Sequence, residues 1–176
     1  MELSVTPVTH AAHVTHATHW FMGWGFTSDA QPQSFANCWE QVALPPPPGI
    51  CCAVLKTRLA TPAWQALQRW MAGCWPQVQW LVVDAAEIAH ITTPTMSPRV
   101  AQRFGTGSVS EALALHAAQT HAVQTHAVDR HAAPTPGAVA AGGLLVPRLV
   151  SEDRCATLAI AAGGLSSLPF PTGVHS

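Results

Sequence analysis

The sequence predicts an α/β protein, a three-layer α/β/α sandwich over a mixed sheet of about five strands that ends in an antiparallel hairpin. Three observations predict it. Apolar runs of strand length at 20–26, 50–55 and 78–83 alternate with segments of helical period, the pattern of strands covered on both faces. A cap residue followed by proline, the usual opening of a helix, stands at Thr61-Pro62 and at Ser97-Pro98. Two further β-rich runs, 144–150 and 155–161, are separated only by Ser151-Glu152-Asp153-Arg154, a polar gap of turn length.

Composition narrows the function classes. The 176 residues suffice for one domain with a genuine core. With 10% charged residues and a net charge of −1, the chain lacks the clustered Lys and Arg that a nucleic-acid partner requires. No apolar run is long enough for a membrane span, and no basic stretch followed by an apolar one marks secretion, so a cytoplasmic protein is expected. The five cysteines are odd in number and contain no C-x-x-C, which favours buried reduced thiols over a disulfide or zinc framework.

In chain order, 1–19 read as a low-complexity leader in which His10, His13, His16 and His19 recur every three residues. A helix would spread these rings around its axis, whereas an extended chain would align them as a loose site for a soft divalent metal. A disordered tail without metal is the preferred reading. A domain over 20–162 follows. Its first strand ends in Gly23-Trp24-Gly25-Phe26, but Ser28 replaces the third glycine of a dinucleotide fingerprint and no acid ends the second strand, so no cofactor is expected. A helix from Gln31-Pro32 carries Phe35, Cys38, Trp39 and Val42 on one face, with Asp29 a candidate cap. The prolines at 45–48 form a stiff connector to the second strand. The Thr61-Pro62 helix turns Trp64, Leu67, Trp70 and Met71 to the core and stops at Gly73. After the third strand come a short helical stretch through Glu87 and Ile88, a loop at 92–95, and the Ser97-Pro98 helix.

That helix reaches Gly105-Thr106-Gly107-Ser108, a glycine corner that opens another helix. Ser108 and Glu111 have capping-box spacing, and the corner also suits an anion-binding loop at a positive helix end. Both readings stand on the local sequence. The new helix runs into a five-residue repeat at His116, His121, His126 and His131, read as a surface-exposed insertion over 116–141. Pro147 makes the first hairpin strand an edge strand, and 163–176 read as a disordered tail.

Gly23-Trp24-Gly25-Phe26, Leu55-Lys56, Ser97-Pro98-Arg99-Val100 with Gly105-Thr106-Gly107-Ser108-Val109-Ser110-Glu111-Ala112, and Leu144-Leu145-Val146-Pro147-Arg148 with the segment 156–161 resemble the CobE / CbiG C-terminal domain family of cobalamin biosynthesis. The resemblance covers roughly 20–162 and points to the stand-alone, CobE-like form. It implies a corrinoid or precorrin intermediate as ligand and other corrin-pathway enzymes as partners; on composition, neither nucleic acid nor membrane is expected. The family's fused form implies the alternative of a hydrolase that opens the lactone of cobalt-precorrin-5A and releases acetaldehyde. The chain departs from the family pattern at Thr27 and Asp29, where a basic and a small residue are common.

A flat apolar macrocycle rimmed by carboxylates needs an apolar wall and oriented N–H or cationic groups. The candidate ligand-binding residues are therefore Gly23, Gly25, Phe26, Ser28, Lys56, Thr57, Gly105, Thr106, Gly107 and Ser108, all at strand ends or at the glycine corner. Lys56 is the favoured cation, and Lys56 and Glu111 are the candidates for assisting water attack. A histidine-rich cobalt or nickel buffer is the third reading.

Overall fold

The structure is a computed structural model and describes residues 19–45, 49–128 and 143–163. The prolines at 46–48, most of the leader with His10, His13 and His16, the segment 129–142 and the tail from 164 lie outside the described residues. The sheet is built from β1 (His19–Phe26), β2 (Gly49–Leu55), β3 (Gln79–Val83), β4 (Leu144–Val150) and β5 (Ala156–Ala162), ordered β3-β2-β1-β5-β4. β1, β2 and β3 are parallel, and β5 is antiparallel to both β1 and β4. The expected hairpin is present, and β4, which carries Pro147, is an edge strand. The missing proline N–H therefore costs no ladder bond on its open side.

β1 shows why the sheet needs covering on both faces. Side chains alternate along a strand, so Trp20, Met22, Trp24 and Phe26 point one way and Phe21 the other. The first set packs with Phe35 and Cys38 of α1 (Pro32–Glu40) and with Leu67 and Met71 of α2 (Pro62–Cys74). Trp24 meets Phe35 and Trp70 edge-on at 5.5 and 5.8 Å, contacts worth about 0.5–1.5 kcal/mol each beyond simple burial. The opposite face is covered by α3 (Ala85–Ile88) and α5 (Val109–Val128), through Ile88, Leu113, Ala114, Ala117 and Ala118, beside α4 (Pro98–Phe104). These two cores separate three layers.

Local chemistry sets the helix boundaries. Thr61 Oγ1 accepts the Trp64 N–H at 3.4 Å, and Pro62 occupies the first turn, where its lost donor has no helical partner anyway. α4 stops because Gly105 adopts φ 70°, and a Cβ there would come 2.6 Å from the Ala89 carbonyl oxygen. α1 is capped by Gln31, whose N–H donates to Ser34 Oγ at 3.1 Å, so Asp29 does not cap it.

Two further expectations change, and one element is added. His19 belongs to β1 rather than to the leader. A 3-10 turn at Lys56–Arg58 follows β2 directly. The histidine repeat begins inside α5, where Ala117 and Ala118 are buried and His116 lies 3.7 Å from Glu87, so its first turn is part of the core layer rather than an exposed insertion. All five cysteines are unpaired; burial raises the thiol of Cys38 to about 12 and also raises those of Cys51 and Cys52. Among the described residues no helix is long and apolar enough to cross a membrane.

Candidate functional site

At the carboxyl ends of β1 and β2 the chain leaves the sheet, and a cavity of about 160 Å³ opens there. Strand ends of an open α/β sheet are the usual ligand crevice, because loops and helix starts converge where the strands stop. Trp24, Gly25 and Phe26 supply one wall, Val100 and Phe104 of α4 another, and Ser108 and Val109 bring the start of α5 to it. Gly25 has a local reason to be glycine: a Cβ would meet Thr157 Oγ1 at 2.6 Å.

Three arginines complete the lining: Arg58 from the 3-10 turn, Arg148 from β4, and Arg154 from the β4–β5 turn. The chain has only eight Lys and Arg in all, so three at one small cavity is a marked concentration. None of the three side chains has a hydrogen bond or ion pair among the described residues, and no Asp or Glu lines the cavity. Burial first, and the Arg103 charge second, hold the Arg58 guanidinium below its usual range. An apolar wall beside unpaired guanidinium groups can take a carboxylate on an apolar frame.

Two devices fix the backbone at Arg148 and beside Arg154. The buried Glu111 carboxylate accepts from the Thr95 N–H at 3.0 Å, from the Thr95 hydroxyl at 2.7 Å and from the Arg148 N–H at 2.9 Å. It therefore ties α5 to the 92–95 loop and to β4, and the capping box with Ser108 is not formed. Helix opening falls to the Ser108 carbonyl, which accepts the Ala112 N–H at 3.0 Å. The second device is Asp153. Its carboxylate accepts from the hydroxyls of Ser34 (2.5 Å) and Ser151 (2.6 Å) and from the Cys155 N–H (3.0 Å), which holds its pKa below the usual range. In the turn so fixed, Arg154 takes φ 58°.

The sequence candidates divide by position. Gly25, Phe26 and Ser108 line the arginine cavity. Gly105, Thr106 and Gly107 line a separate cavity of about 160 Å³ with Thr93 and Met96, and the Thr106 hydroxyl is bound to the Ile91 carbonyl at 2.9 Å. Gly23 lies beneath α5, where an added Cβ would collide with the Ser110 carbonyl oxygen. Ser28, Lys56 and Thr57 line neither cavity. Lys56 is an exposed charge 3.5 Å from Asp84 rather than a cation of the cavity. Sequence reasoning missed Arg58, Arg148 and Arg154. The signal was present for Arg148, which ends a family-like block, and for Arg58, three residues beyond a strand end.

Fold and site together define an α/β/α protein with a small cation-lined crevice at its parallel strand ends. Residues 20–161 match the family described as "Cobalamin synthesis G C-terminus", and the chain belongs to that family. It is a cobalamin-biosynthesis protein of the CbiG C-terminal type. Among solved structures it is similar to that of CobE, "a protein from the cobalamin (vitamin B12) biosynthetic pathway". The TM-score is 0.56 at 16% identity, with 86% of this chain and 95% of that chain covered, a likeness of fold. No curated protein matches the chain.

Proposed function

We propose that this chain binds a corrin-ring intermediate by seating an acidic side chain of the ring between Arg58, Arg148 and Arg154. The observation that carries this reading is the meeting of three unpaired guanidinium groups with an aromatic wall at one crevice. A cavity of about 160 Å³ is below the size that encloses even a drug-sized ligand. The crevice therefore grips the rim of the macrocycle, and the ring face lies across the mouth. The start of α5 adds the positive end of a helix dipole on the same side.

An absorbance titration with hydrogenobyrinic acid or a precorrin tests it. The macrocycle spectrum is expected to shift with one-to-one saturation, and no shift at micromolar protein would overturn the proposal. A hydrogen bond to a charged group contributes about 1.5–3 kcal/mol, so Arg58→Ala is expected to weaken binding roughly tenfold to a hundredfold. Lys56→Ala, which removes an exposed pair, is expected to leave it unchanged.

The lactone-hydrolase alternative needs a group free to activate water. Glu111 is buried and already engaged by three donors, and Lys56 is paired outside the cavity, so neither favours turnover. Binding without hydrolysis is the better-supported reading, and acetaldehyde release from cobalt-precorrin-5A by this chain would replace it with the enzymatic one.

A further inference from the structure

We propose that His19 and His121 form the nucleus of a binding site for a divalent transition-metal ion of the kind imidazole prefers, such as Ni(II) or Zn(II). The two rings lie 5.4 Å apart between centroids, inclined by 33°. Two imidazoles that share one tetrahedral ion, with metal–nitrogen bonds of about 2.0–2.1 Å, have ring centres about 5 Å apart. The observed pair is therefore already at sharing distance, and the broad second torsion of histidine allows a ring nitrogen to be brought toward a shared ion.

The fold brings this pair together from opposite parts of the chain. His19 opens β1, and α5 crosses the same face of the sheet so that His121 rests on Phe21 at 5.2 Å. The neighbouring strand makes room. Gly49 is the register partner of His19, and a Cβ at Gly49 would come 2.5 Å from the His19 ring. The site lies at the amino end of β1, the arginine cavity at its carboxyl end, so the two are separate.

The sequence context gives the pairing its weight. His19 ends one histidine run, with His10, His13 and His16 before it, and His121 sits inside the other, with His116 before it and His126 and His131 after it. Each run alone has a spacing that spreads its rings on a helix. Among the described residues, His19 of one run meets His121 of the other. Among the described residues no set of three His, Cys, Asp or Glu is placed to hold a metal, so His19 and His121 supply two ligands. Water completes the shell.

Calorimetric titration of the full chain with Ni(II), repeated with Zn(II), tests this. One tight site is expected, and the double variant His19→Ala/His121→Phe is expected to weaken it at least about tenfold. The phenylalanine keeps a ring against Phe21, and an unchanged thermal midpoint without metal verifies the fold. If the double variant binds with the affinity and stoichiometry of the parent chain, the runs capture metal independently of the fold and the proposal fails. Neither result bears on corrinoid binding, which is read by ring absorbance at the other end of β1.

Discussion

Arg154 is the residue at which local stability and ligand binding pull apart. Its φ of 58° lies in the left-handed region, which costs a residue with a side chain about 1–2 kcal/mol. Glycine would serve the turn better, and the guanidinium is what a glycine would lack. Arg154→Gly is therefore expected to stabilise the fold by about 1 kcal/mol in urea unfolding while weakening corrinoid binding tenfold or more. A variant that binds as tightly as the parent would remove Arg154 from the site. Glu111 teaches a related lesson about single residues. Its spacing from Ser108 satisfies a local motif, yet its carboxylate spends its acceptors on Thr95 and Arg148, partners remote in sequence. Nothing in a short window distinguishes those two fates.

At the scale of elements, the contact between α5 and β1 decides the second layer. Gly23 lets the helix backbone sit directly on the strand, with Ser110 and Ala114 above it. Gly23→Ala has no space to expand into and is expected to cost about 3 kcal/mol or more, read as a lower urea midpoint. Gly25→Ala meets first the hydroxyl of Thr157, a side chain that can rotate away, and should cost clearly less. Equal losses at both positions would refute this account of the packing. The elements themselves were readable from sequence because their signals are local: Thr61-Pro62, Ser97-Pro98, the turn at Gly105, and the apolar runs of β1 and β2. The site was only partly readable, because Arg58, Arg148 and Arg154 meet through strand order. No spacing along the chain tells that the hairpin folds back with β5 on β1 and β4 beyond it. Lys56 misled for a similar reason: its partner Asp84 directly follows the neighbouring strand, and adjacency of β2 and β3 is a property of the sheet.

For the molecule as a whole, Asp153 joins parts that are 119 residues apart, binding Ser34 at the start of α1 to the β4–β5 turn. Its folded pKa is depressed by those hydroxyl and amide donors. A depressed carboxyl contributes stability that is fully present above its unfolded value of about 3.9 and is lost as pH falls through the folded value. Thermal midpoints measured from pH 6 downward should therefore drop more steeply in the parent than in Asp153→Asn, which starts lower and lacks this step. Parallel curves for the two proteins would show that the carboxylate is not the linkage group.

The sheet order has a last consequence, for biogenesis. Among the described residues β5 is the final strand and pairs directly with β1, the first. At ribosomal speed roughly ten seconds separate the emergence of the two. Through that interval the nascent chain carries a bare, strongly apolar strand edge, which the β4–β5 hairpin of a neighbouring copy could occupy as well as its own. Crowded expression should accordingly yield hairpin-exchanged dimers, and slower synthesis should lengthen the window in which they form.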